Sequence, residues 1–357
     1  MSKELNDQII KEENAVELEE EEEVTLPPDN VFSYTEQRSC FDITRMINKG
    51  DLKRDPFFQR EDIWQNAQKT KFIDSLLKKL PIPSLCISVD AAEKYQVIDG
   101  RQRIKAIMDF LSEDTEWKLS DISSIDSRLS GKTNFEIRRE NPQIFTIIEN
   151  ATLPINMIRC DYNRQDNLSY IFNIFHRLNS GGTCLNNQEI RNCIYSGSFA
   201  KLLKKCNKYP SWIKWIPNIA LNTRMKGPER ILLFFAMYEN YESYDGKLAH
   251  FLNNYMHINK EHAETWIWDK EVLFNKVIDI ASKIKIKPIR NVYIDALLFG
   301  LAKNYDNCKR KNISQLNSLY NKMIESQPFS PEKIKEGTSR KTNMLARLNK
   351  ALEIFGE

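Results

Sequence analysis

Five consecutive residues, Asp99-Gly100-Arg101-Gln102-Arg103, carry the densest chemistry in the chain. They join a β-rich run at 94–98 to the amphipathic helical pattern of 101–112. A helix beginning at Arg101 turns its first amides, unpaired within the helix, toward the end of the strand. Together with the helix dipole, those amides favour an anion. Gly100 can adopt φ > 0 and lets a ligand approach the backbone closely. Arg101 and Arg103 supply forked donors for phosphate oxygens. Asp99 can orient an arginine, take a ribose hydroxyl or help hold Mg²⁺. The same residues also make a plain corner, with Asp99 as N-cap and both arginines solvated or salt-bridged. The five residues alone leave both readings open.

Two other stretches bear on that choice. Arg60 stands just before a helical pattern, with Trp64 four residues on. A guanidinium near an indole suits a nucleotide site and equally suits packing at the edge of a core. At 175–192, Asn179, Gly181 and Gly182 form a helix-ending turn that exposes backbone donors. Arg177, Gln188, Glu189, Arg191 and Asn192 add polar side chains, a set that suits a pocket wall.

Other chemistries fail on spacing. "SGKTN" at 130–134 echoes a P-loop, but Asp126 stands where its first glycine is required. There is no GxSxG elbow, and His176, His250, His257 and His262 match no metallohydrolase pattern. Seven cysteines without a CxxC pair read as small buried hydrophobes of a reducing compartment, and no metal site is expected.

The elements that must position these residues can be read from periodicity. A helix at 41–50 closes on Gly50, and another at 62–80 ends at Pro81. Runs 84–89 and 94–98 predict a hairpin. A polar, irregular segment with short helical pieces follows at 113–150. A strand at 152–160 looks edge-like because of Pro154. From about 165 nearly every segment has helical spacing, with Asn186 or Asn187 as an N-cap. The expected fold class is α+β: an acidic disordered tail at 1–30, a mixed α/β domain at 31–165 and an α-helical domain at 166–357.

Charge is divided along the chain. Residues 1–30 carry eleven acids and two lysines, a net of −9, which leaves the remainder at +12. A basic body suits a polyanion, and "KIKIKPIR" (283–290) and "CKRK" (308–311) are basic surface candidates for nucleic acid. No apolar stretch approaches the length of a membrane span, and the acidic start argues against a signal peptide. No membrane contact and a cytoplasmic location are expected.

Taken in order, "FFQREDIW", "FIDSLLKKLPIPSLCI", "YQVIDGRQRIKAIMDFL" and "IFHRLNSGGTCLNNQEIRNCIYSGSF" resemble the N-terminal domain of GmrSD-type restriction endonucleases. The resemblance covers about 35–240, including "RMKGPERILLFFAMYENY". It implies a ParB/sulfiredoxin-like α/β core whose strand–turn–helix corner holds nucleotide phosphates, in proteins where NTP binding or hydrolysis controls DNA cutting. The family's hallmark is Asp-Gly-Gln-Gln-Arg, from which this chain departs at Arg101. By motif match, Arg60, Asp99, Gly100, Gln102 and Arg103 belong to the implied pocket. Arg101 adds a charge, and Asn179, Gly181 and Gly182 form a wall.

In the implied mechanism Arg60 and Arg103 clamp phosphate, and Asp99 orients the arginine or activates water. Mg²⁺ arrives mainly with the nucleotide. Residues 240–357 hold only three histidines in no HNH pattern, so no nuclease of its own is expected. The expectation is an NTP-binding protein, at most a weak NTPase, acting in DNA-linked defence with a separate nuclease or another defence protein. The alternative is a non-catalytic module that binds DNA or protein and keeps a vestigial pocket.

Overall fold

The computed structural model describes residues 28–53, 64–90, 92–162, 164–178, 186–220, 225–287, 289–335 and 337–357. Within these, the side chains of 165, 175, 176, 178 and 193 are not described. The described residues form two compact units, divided between 185 and 186.

The first unit runs β1 (Phe32–Ser39), α1 (Cys40–Asn48), β2 (Leu52–Lys53), α2 (Asn66–Leu77), β3 (Leu85–Val89), β4 (Tyr95–Asp99) and α3 (Arg101–Leu111). It continues with α4 (Asn134–Glu140), α5 (Pro142–Asn150), β5 (Thr152–Arg159) and α6 (Gln165–Leu178). Five strands make one mixed sheet in the order β1-β5-β3-β4-β2. β3 and β4 form the expected antiparallel hairpin, while β3 runs parallel to β5 and β2 parallel to β4.

Every residue of β3 is buried, so both faces of the sheet are covered. Leu85, Ile87 and Val89 point one way, into a core shared with Val97, Leu153, Ile155 and Met157 and with helices α1 to α5. Cys86 and Ser88 point the other way. Helix α6 packs against β4 with Leu168, Ile171 and Phe172 buried, which keeps it with the α/β unit, one helix past the expected boundary.

Two strands differ from the sequence reading. β5 lies inside the sheet, between β1 and β3, although Pro154 suggested an edge. The pairing with β3 begins only at Leu85↔Ile155, so Pro154 sits one residue beyond it, opposite Gln37 of β1 alone. A missing N–H there breaks no ladder bond. β1 itself carried no sequence signal, because most of its residues are exposed and no inward-outward alternation marks it.

The second unit is helical: α7 (Asn187–Ile194), α8 (Ser198–Asn207), α9 (Pro210–Trp215), α10 (Pro217–Ala220), α11 (Lys226–Asn240) and α12 (Leu248–Ile258). Then follow α13 (Glu264–Ala281), α14 (Asn291–Lys303), α15 (Tyr305–Cys308), α16 (Ile313–Ile324) and α17 (Lys341–Gly356). Helix α14 is buried almost all round and packs on α11, α13 and α17, as an apolar helix without a polar face must. The α+β expectation therefore holds: a mixed α/β unit followed by a helical one. Among the described residues no helix is long and apolar enough to cross a membrane.

Candidate functional site

Strand β4 ends at Asp99, and Gly100 turns the chain with φ +98 and ψ 13 to become the N-cap of α3. Such a left-handed backbone is open to glycine without penalty. Leu85 fills the side on which a β-carbon would stand, so the glycine serves the turn and its packing as much as any ligand.

Each motif side chain has a place. Arg103, one turn into α3, donates from Nη2 to Asp99 Oδ2 at 2.7 Å. Its Nη1 reaches the carbonyl of Pro83 and, at 3.4 Å, that of Ser84. One guanidinium thus ties the helix start, the strand end and the approach to β3 together. Burial lowers the Arg103 pKa, and the charge of Asp99 opposes that shift. Arg101 turns back to the Val97 carbonyl at 3.0 Å. Gln102 has its side-chain oxygen enclosed, with no donor to it among the described residues.

Asp99 remains 38% exposed and gives only Oδ2 to Arg103. Its charge adds to burial, the larger cause, in pushing the Cys86 thiol up to about 12. The corner therefore offers a carboxylate oxygen, an unmet amide oxygen and the first-turn amides within four residues. Amide N–H groups donate to phosphate oxygens, and the carboxylate suits a cation or a hydroxyl.

The rest of the unit holds α3 in place. Asn134, 1% exposed, donates its amide to the carbonyls of Asp109, Phe110, Ser112 and Thr115, closing the C-terminus of α3. Asp109 accepts from Lys69 of α2 and from Lys105, each at 3.1 Å. A helix fixed at its far end keeps its first amides fixed as well.

Other sequence candidates are dispersed. Trp64 packs on the core and meets Phe72 edge-on at 5.7 Å, as core-edge packing would. Arg60, the partner considered for it, lies outside the described residues, as do Asn179, Gly181 and Gly182. The P-loop echo is a helix cap: Thr133 and Glu136 form a capping box at the head of α4.

The polar set after the Gly-Gly turn has another role than a pocket wall. Gln188, Glu189, Arg191 and Asn192 are all buried in the helical unit. Arg191 donates to Glu229 at 3.0 Å and to Asn253 at 2.8 Å. Asn186 is the N-cap of α7, with Glu189 completing its capping box.

Sequence reasoning missed the carbonyls of Pro83 and Ser84 and the contact of Leu85. Backbone acceptors leave no trace in residue type. Among the described residues no group of three His, Cys, Asp or Glu side chains is placed to hold a metal ion.

Residues 42–196 match the family model of the GmrSD restriction endonuclease, N-terminal domain. The match contains the 99–103 corner and ends just after α7. No curated protein and no solved structure matches the chain.

Proposed function

We propose that the 99–103 corner binds the phosphates of a nucleoside triphosphate, and that the chain serves restriction or defence against foreign DNA in the cytoplasm. The match to a restriction-endonuclease domain supports the broader role. One observation carries the finer reading. At the head of an eleven-residue helix, Asp99 keeps an oxygen open and Gln102 keeps an enclosed oxygen unmet among the described residues, beside the first-turn amides.

On this reading the amides take phosphate oxygens, and Asp99 takes the Mg²⁺ that the nucleotide brings, or orients a water against the terminal phosphate. Gln102 accepts from a ribose hydroxyl or a base amino group. Arg103 holds Asp99 in position and adds positive charge, as Arg101 does. Arg60 is assigned to the phosphates and Asn179, Gly181 and Gly182 to the wall. DNA cutting is assigned to a separate nuclease.

The test is calorimetric titration of ATP, GTP, CTP and UTP with Mg²⁺ into wild type, Asp99→Ala and Gln102→Ala. Binding by wild type, weakened about tenfold or more in both variants, is the expected result. No binding by wild type, or equal affinity in all three, defeats the proposal.

A second reading, a DNA-binding module needing no nucleotide, has an observation of its own. The Lys285 amide donates to Asn317 at 3.0 Å, and residues 309–311 lead straight into the N-cap of α16. The first basic run thereby reaches, through Lys285, an open groove of about 740 Å³ that Ser314, Asn317, Asn321, Lys322 and Glu325 also line. DNA affinity that falls steeply with salt, with no nucleotide effect, favours this reading.

A further inference from the structure

The sheet of the α/β unit has two edges of unequal kind. On one, β2 pairs over two residues among those described, a length that gives another chain little to join. On the other, β1 runs eight residues and pairs with β5 in unbroken register from Phe32↔Arg159 to Ser39↔Thr152. Among the described residues no strand covers its outer side.

A free edge of that length is ordinarily blunted by lysine, proline, a bulge or net charge. β1, FSYTEQRS, has no lysine, no proline and no bulge, and its one acid and one base cancel. Two large apolar side chains also stand open on it, Phe32 at 55% and Tyr34 at 40% exposed.

We propose that β1 is the interface of a homodimer, pairing antiparallel with β1 of a second copy on a two-fold axis through Thr35. The occupant follows from self-complementarity. A two-fold axis normal to the sheet sets each residue opposite one on the same face, so the axis must pass through a residue. Centred on Thr35, the pairing sets Phe32 opposite Arg38, Ser33 opposite Gln37 and Tyr34 opposite Glu36. These pairs span 32–38 and oppose no like charges. Centred on Glu36, the overlap is as long, but the two glutamates face each other. Centres at Tyr34 or Gln37 leave shorter overlaps. Phe32 against Arg38 makes an aromatic–cation pair across the strands, which stabilises such a ladder, while like charges oppose it. Among the described residues the joined sheet would have ten strands, with β2 at each end.

Sedimentation velocity of the full chain and single-cysteine crosslinking decide the matter. Wild type is expected to sediment as a dimer at micromolar concentration. Thr35→Cys should give a covalent dimer with mild oxidant, since facing β-carbons lie about 5 Å apart. Gln37→Cys should not, because its two copies lie about 14 Å apart along the strands. Thr35→Lys sets two ammonium groups at the axis and should weaken the dimer about fivefold or more. Thr35→Ser, which keeps the hydroxyl that donates to Asn156, should dimerise as wild type does. A monomer at about 100 μM overturns the proposal, as does a dimer indifferent to Thr35→Lys or crosslinking at position 37 instead of 35.

Discussion

Leu85 and Gly100 meet where a side chain at position 100 would have to stand: a β-carbon built on Gly100 lies 2.1 Å from Leu85 Cδ2. The backbone there is left-handed as well, with φ +98, which side chains disfavour. Leu85 is fully buried in the core and has nowhere to retreat without opening a gap.

Gly100→Ala should therefore destabilise the α/β unit by about 2–4 kcal/mol, from overpacking and backbone strain together. Urea denaturation followed by tryptophan fluorescence measures it. A loss under about 0.5 kcal/mol would mean that Leu85 yields freely.

The corner was legible in the sequence because its signals are local: a β-rich run, a glycine, then a 3.6-residue period. The partners of the corner were not. Arg103 is held by carbonyls twenty and nineteen residues earlier, and backbone acceptors look alike in every sequence. Arg191 suggested a pocket wall as one of a polar set beside apolar residues, yet it is buried against Glu229, thirty-eight residues on. β1 was silent because an edge strand bathed in solvent needs no apolar alternation.

Lys79 shows a local rule broken. It occupies the left-handed position just past α2, with φ 54, where glycine is usual. Its amide bonds to Leu76 at 3.1 Å and that of Leu80 to Ser75 at 3.0 Å, the paired closure of a Schellman motif. Replacing the lysine with glycine relieves the strain, and part of that gain is offset by a freer unfolded chain. Lys79→Gly should raise stability by about 0.5–1 kcal/mol, read as a higher denaturant midpoint at unchanged slope. A lower midpoint would show that the Lys79 side chain makes a contact worth more than the strain.

Arg191 tests the interior of the helical unit. Its side chain is 1% exposed and its ion-pair partner Glu229 is 18% exposed. Arg191→Met strands that carboxylate in a dry setting and should cost about 2–4 kcal/mol. Adding Glu229→Gln removes the stranded charge and should recover at least about 1 kcal/mol, so the two substitutions will not add. Additive losses would place Glu229 in water rather than against Arg191.

Cys86 reports on the far side of the same corner, since it pairs across the hairpin with Asp99. Its thiol is pushed up to about 12, by burial first and by the charge of Asp99 second. A raised pKa keeps the thiol protonated, so the reactive thiolate is scarce at pH 8 and becomes common only as pH climbs toward 12. Iodoacetamide at pH 8, read by mass spectrometry of the Cys86 peptide, should label the folded chain about a thousandfold more slowly than the chain in urea. The order of the two causes gives a sharper check. Full unfolding in urea should speed labelling more than Asp99→Asn in the folded chain, which removes only the smaller contribution. The reverse order would make charge, not burial, the master of this thiol, and would put more negative potential at the 99–103 corner than an anion site tolerates.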